Sequence, residues 1–176
     1  MYCKIVLKFY FFLSKGGLTP LHVFITHGTD MENPQSSDTA FLQNLVKNKA
    51  DLHKTTENSG ETALHLASRF KRALAADILL DAGAIVSKKD INGRAPLHTA
   101  IAADAKDVTA CLLRKGNANV NARTNSGETS LITAARLNKN ELIMDLILHG
   151  ANLNAVDKQG SDRILIFLFC FREIFS

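Results

Sequence analysis

The chain has 176 residues, enough for one domain. Its 46% hydrophobic and 22% charged content is that of a globular chain and excludes an intrinsically disordered one. The formal net charge is +4, yet Lys4, Lys8 and Lys15 supply +3 of it, and residues 16–160 carry only +1, without the basic stripe of a chain that grips nucleic acid directly.

Residues 1–15 read as an apolar and basic flank, distinct from the rest of the chain. "KIVLKFYFFL" has the apolar look of a signal peptide, but Lys8 interrupts it and no small-residue cleavage site comes after it. Seven of the ten phenylalanines lie in the first or last sixteen residues, so the ends differ in composition from the middle. From residue 16 the chain repeats itself. "GLTPLHVFITH" opens at Gly17, "GETALHLASRF" at Gly60, "GRAPLHTAIAA" at Gly93 and "GETSLITAARL" at Gly127, with Gly160 at the next step. The offsets are 43, 33, 34 and 33 residues. A period near 33 marks a stacked array.

The unit from Gly60 is the cleanest. Asn58-Ser59-Gly60 signals a turn, with glycine free to take a positive φ. Thr62 precedes an apolar run and is placed to cap a helix. Leu64, Leu66 and Ala67 then mark a short inner helix, and Leu74, Ala75, Ile78, Leu79 and Leu80 mark an outer helix with one apolar stripe. Gly83 suits a left-handed helix end, and Ser87-Lys88-Lys89-Asp90 reads as a polar hairpin. The next unit repeats the plan with Ala95-Pro96-Leu97-His98 inside and Val108, Cys111, Leu112 and Leu113 outside. The last has Leu131, Ala134 and Ala135, then Leu142, Ile143, Leu146 and Ile147. Such units cannot bury their stripes alone but can when stacked. The expected fold is therefore an all-α solenoid of helix-turn-helix repeats with β-hairpin loops: four full repeats over residues 16–160 and an atypical, truncated one over 161–176. The first repeat is expected to carry a polar, acidic loop, "THGTDMENPQSSDTA", at 26–40 between its helices. "ILIFLFCF" from Ile164 is eight residues long, far below the roughly 20 that cross a bilayer as a helix.

Side-chain chemistry points away from catalysis. Cys3, Cys111 and Cys170 have neither a disulfide framework nor metal-ligand spacing, and Cys111 reads as a buried free thiol, so the chain reads as intracellular. His22, His65 and His98 come directly after the helix-opening leucine in successive repeats, which favours hydrogen bonds to a hairpin or neighbouring helix over metal ligation. His149 sits at a helix end, where a donor satisfies open carbonyls. Asp104 with Asp107 could pose as a carboxylate pair, but no basic partner motif accompanies them. None of the HExxH, CxxC, GxSxG or GxxxxGK[ST] patterns occurs, and no cofactor or metal is expected.

"TPLH" at Thr19, "TALHLA" at Thr62, "APLHTA" at Ala95 and "GAN" at Gly150 resemble the ankyrin repeat. Finer features resemble the ankyrin domain of Notch receptors: "GRAPLHTAIAADAKDV", "GETALHLASRFKR", "NARTNSGETSLITAARL", "GANLNAVDKQG", the acidic insertion in the first repeat and the extra residue in "RKGNANVNAR". This second resemblance implies a protein-docking scaffold in cytoplasm and nucleus that engages a CSL-class DNA-binding factor and a Mastermind-type coactivator, leaving DNA contact to the partner. Residue matching puts Arg69, Arg94, Asp104 and Arg136 on that docking surface, with intramolecular ion pairs as the competing role. The ankyrin resemblance makes Asn121 and Asn154, each eight residues after a leucine (Leu113 and Leu146), candidates for asparaginyl hydroxylation. The array should continue beyond Gly160 in such a domain, so the chain is expected to be a fragment, incomplete at both ends, of a parent that would be a membrane receptor. The alternatives are a generic cytoplasmic ankyrin adaptor and a fragment without function.

Overall fold

The computed structural model describes residues 17–28, 33–158 and Gly160. The expectations for residues 1–15 and 161–176 lie outside the described residues. The described residues form eight helices in four pairs: α1 Pro20–His27 and α2 Ser37–Lys47, α3 Ala63–Arg69 and α4 Ala73–Asp81, α5 Pro96–Ala103 and α6 Lys106–Arg114, α7 Ser130–Arg136 and α8 Asn140–Leu148. The inner helices α1, α3, α5 and α7 pack in one row, and the outer helices α2, α4, α6 and α8 in another. This is the expected all-α stack. The acidic loop is shorter than expected. Thr26 and His27 finish α1 and Ser37–Ala40 begin α2, because Ser36 accepts the Thr39 N–H at 3.0 Å and starts that helix early.

A short inner helix needs a strong start, and the repeat supplies one in two halves. At Thr62 the hydroxyl faces the His65 N–H while the Thr62 N–H donates to His65 Nδ1 at 3.2 Å. Thr19 and His22 do the same in the first repeat. This is a capping box with histidine in the position usually held by glutamate. The third repeat keeps only the histidine half, since Ala95 has no hydroxyl but its N–H still reaches His98 Nδ1 at 3.2 Å. The fourth keeps only the threonine half, because Ile132 stands where the histidine would.

The core runs the length of the stack through Leu21, Leu64, Leu97 and Leu131 of the inner row and Leu42, Leu79, Leu112, Leu142 and Leu146 of the outer row. Ala67, Ala100 and Ala134 are fully covered, small enough to let helices approach. The outer stripe differs from expectation in detail. Ala76 is buried while Leu74, Ile78 and Leu80 are half-buried, and Cys111 is half-buried rather than buried. On that outer side Lys115 holds Asp77 at 2.6 Å and Asp81 at 2.7 Å, tying α6 to α4.

The hairpin loops are tight turns. The only bridge pair among the described residues is Arg123 with Thr129. Successive loops are joined by one backbone-to-backbone hydrogen bond each: Ile91 N–H to Ser59 O at 3.1 Å, Asn125 N–H to Asn92 O at 3.0 Å and Lys158 N–H to Ser126 O at 3.1 Å. That ladder explains the repeated glycine. At Gly93, φ is +75° and a Cβ would lie 2.6 Å from the Asn125 nitrogen, so both backbone angle and closeness demand glycine.

Candidate protein-binding surface

The four residues singled out from sequence all form ion pairs within the chain. Arg69, the last residue of α3, pairs with Glu61, just past the opening glycine. Arg136, the last residue of α7, pairs with Glu128 at 2.6 Å in the equivalent place. In both, glutamate and arginine lie eight residues apart, and the carboxylate is further fixed: Ser59 Oγ donates to Glu61 at 2.8 Å, and Thr133 Oγ1 to Glu128 at 2.9 Å. The glutamate side chains are sunk, 4% and 14% exposed, while the arginine side chains are 46% and 54% exposed. Each pair therefore orients an arginine that still faces solvent. A guanidinium has five N–H donors, so one pair leaves donors over.

Arg94 differs. It sits at the opening of the third repeat, where its neighbours carry glutamate, and grips Asp90 through Nε and Nη2, both at 2.8 Å. Asp90 is buried. Burial pushes its carboxyl up, but the Arg94 N–H, the Arg94 guanidinium and the Asn92 N–H outweigh that and hold it below the usual carboxylate range. Asp104 is not without a basic partner. It takes the left-handed conformation at the end of α5, φ +56°, and binds Lys139 of the next repeat at 3.0 Å. The Lys139 hydrogen bond holds its carboxyl below the usual range. Lys106 binds Glu141 at 2.5 Å beside it, so this edge of repeats three and four is closed by two crossed pairs.

Sequence reasoning missed the apolar companions. Phe70 and Leu137 come directly after the two arginines and are 43% and 41% exposed. The signal was present: both stand ten residues past a glycine. In the repeat between, the same two positions hold Ala102, exposed, and Ala103, half-buried.

The histidines are committed to the stack. His65 and His98 accept backbone N–H groups at Nδ1, so Nε2 carries the proton and donates onward, to Arg94 O at 3.0 Å and Ala122 O at 3.1 Å. His149 reaches back to Asp145 O at 2.8 Å, as a helix-end donor should. Asn121 spans two loops, donating to Gly150 O at 3.1 Å and accepting from Asn152 N–H at 2.8 Å. Asn154 donates its backbone N–H to Asn152 at 2.9 Å. Among the described residues no group of three His, Cys, Asp or Glu side chains is arranged to hold a metal, and no helix is long and apolar enough to cross a membrane.

The ankyrin repeat family model matches residues 75–157 as three copies. These are ankyrin repeats, and the chain is a protein-binding scaffold of that class. Over 143 residues it is 45% identical to the Neurogenic locus Notch protein of Drosophila melanogaster, covering 78% of this chain and 5% of that protein. Over 154 residues it is 42% identical to the Neurogenic locus notch homolog protein 2 of Homo sapiens, covering 84% of this chain and 6% of that one. The chain carries a Notch-like ankyrin domain, and it spans only a small part of the length of these relatives.

Proposed function

We propose that the stack is a docking platform in a transcription-activating assembly, engaging a CSL-class DNA-binding factor and a Mastermind-type coactivator in the nucleus after a cytoplasmic stage. Arg69, Arg94, Asp104 and Arg136 are its candidate contact residues, and Phe70 and Leu137 join them. The observation that carries this reading is the duplicated pair of half-exposed arginines, each aimed by a sunken glutamate. A well-oriented arginine loses little freedom when it binds a carboxylate, which suits an interface. The near-neutral body supports leaving DNA to the partner.

The test is assembly from purified CSL-type factor, Mastermind-type peptide and this chain, with sedimentation as the readout. Arg69→Gln and Arg136→Gln together should reduce coactivator recruitment. Charge reversal at Arg136 is a poorer choice, because a new glutamate would face Glu128 and disturb the fold as well. Normal assembly by the double variant would remove these arginines from the site. Failure of the unaltered chain to assemble would favour a generic adaptor or a fragment without function. As hydroxylation substrates, Asn121 and Asn154 should differ: Asn121 must give up two inter-loop hydrogen bonds to enter an active site. Intact mass after incubation with an asparaginyl hydroxylase should show Asn154 modified first, and an unchanged mass would end the idea.

A further inference from the structure

The hairpin side of the stack holds a cavity of about 380 Å³ between the loops of the second and third repeats. Ala95 and Leu97 lining it are buried, Val86, Ala118 and Ala122 are half-buried, and Lys89 and Arg123 are exposed. It therefore deepens from a cationic rim to an apolar floor, and no carboxylate lines it. Two departures from the repeat meet there. The first is the extra residue of the 34-residue step. After α4 and α8, the Ala84 and Ala151 N–H groups reach five residues back, to Leu79 O at 2.9 Å and Leu146 O at 3.0 Å, whereas after α6 the Ala118 N–H reaches six back, to Leu112 O at 3.0 Å. The extra residue thus lies in the turn after α6, where Asn117 takes φ +49°. Ala118 is half-buried, while its counterparts Ala84 and Ala151 are buried. The second departure is Ala95, a smaller side chain than the threonine of the other three repeats.

The two cations on the rim have no counter-charge. Lys89 Nζ donates to Arg123 O at 2.8 Å, and Arg123 Nη1 donates to Gly127 O at 2.8 Å and Val156 O at 2.6 Å. These acceptors are neutral carbonyls, and neither residue takes part in an ion pair among the described residues. An ammonium has three N–H donors and a guanidinium five, so both keep donors for a ligand. We propose that this cavity binds a small amphipathic carboxylic acid as its anion. The apolar body lies against Leu97 and Ala118, and the carboxylate is held by Lys89 and Arg123. An apolar cavity with a few polar groups that fix orientation is the ordinary form of a small-molecule site, and this volume is near the lower end of the range. It takes a body of roughly 10–20 non-hydrogen atoms, too few for a peptide segment. The site lies where inner helices begin, away from Arg69 and Arg136 at their ends, and does not rest on the docking reading.

The probe is 2-naphthoate, a rigid anion within that size, titrated into the full chain and followed by the amide chemical shifts of its NMR spectrum. The control is 2-naphthalenemethanol, which has the same rings and no charge. Naphthoate should give saturable shifts centred on Ala95, Leu97, Ala118 and Ala122, with a Kd of about 1 mM or tighter. The alcohol should bind about tenfold more weakly, the loss expected when charge-assisted hydrogen bonds are removed. Lys89→Gln, at an exposed position, should weaken naphthoate about tenfold and leave the alcohol unchanged. Ala118→Leu fills the floor and should abolish binding of both. Where that variant also lowers the melting curve, Lys89→Gln alone decides. No saturation by about 10 mM, tenfold above the expected Kd, would overturn the site. So would equal binding of acid and alcohol, indifference to Lys89→Gln, or shifts centred elsewhere on the chain.

Discussion

The two edges of the stack, where inner helices begin and where they end, are held by different physics. At the hairpin edge the elements are backbone amides, glycines in the left-handed region and buried histidines. At the turn edge they are half-exposed ion pairs and the residues Lys71, Asp104 and Asn138, all with φ near +55° (57°, 56° and 54°) although none is glycine. The caps and histidines of the first edge are buried and act at short range, so substitutions of them should be felt. The second lies in water, where charges are screened and side chains can move, so most substitutions there should be absorbed.

The largest contrast should come from glycine. Gly93→Ala forces a Cβ to within 2.6 Å of the Asn125 nitrogen at a φ of +75°. Strain and overpacking together should cost about 2–5 kcal/mol in urea unfolding. Gly83→Ala, also at positive φ but with nothing within 4 Å of the new atom, should cost only about 1–2 kcal/mol. Equal losses would mean that the closeness of one loop to the next contributes nothing.

Acid should strike the hairpin edge next. Burial, the largest cause, lowers the pKa of His22, His65 and His98 against weaker opposition from Asp51 and Glu61 at His22, Asp90 and Glu61 at His65, and Glu128 at His98. Arg94 near His65 and Lys89 near His98 lower them further. In the folded chain these rings stay neutral after the unfolded chain has begun to take up protons below about pH 6.5. The unfolded state then binds more protons, so stability is fully present above that value and falls as pH drops toward the folded pKa values. A protonated Nδ1 would also set N–H against the N–H of Thr62 or Ala95. Urea unfolding at about pH 7.5 and about pH 5 should show the fall, and His65→Asn with His98→Asn should shrink it. A pH-independent difference between these proteins would show that the rings are not the cause.

These two edges were also unequally legible in the sequence. Threonine and histidine cap a helix through groups three residues apart, so that half of their role is written locally and the period repeats it, while the reach of His65 and His98 to Arg94 O and Ala122 O is not. The turn edge is written across repeats. Asp104 meets Lys139 and Lys106 meets Glu141, each 35 residues away, and no single repeat contains both partners. The same reason hid the half-exposed state of Cys111, which lies on the outer side beside the Lys115 and Asp77 pair. The Glu61–Arg69 and Glu128–Arg136 pairs fell between these cases. Both lie within one repeat, but their eight-residue spacing carries a long side chain back along two helical turns, which a helix-neighbour rule of three or four does not cover.

A smaller and opposite effect should appear where the hairpin edge is incomplete. Ala95 holds the place of Thr19, Thr62 and Thr129, and its 4% exposure matches the buried setting of Thr62 at 3% and Thr129 at 2%. Ala95→Thr restores the missing half of the cap and should add about 1 kcal/mol. A loss of stability would mean that the third repeat has packed around the methyl group and left no room for a hydroxyl.

The smallest change should be at the turn edge. Lys139→Ala removes the partner of Asp104, in a pair whose side chains are 29% and 35% exposed. Exposed pairs contribute about 0–1 kcal/mol, and water can take over the hydrogen bonds of Asp104 once the ammonium is gone. Lys139 supplies no side-chain cap to α8, so the helix loses nothing else. The expected result is a melting curve within about 1 kcal/mol of the unaltered chain, with any difference fading as salt is added. A loss above about 2 kcal/mol that persists in high salt would place the crossed pairs of Asp104 and Glu141 among the elements that hold repeats three and four together. The two edges would then be equals, and the tolerance argued for the turn side would belong only to Lys71 and Asn138.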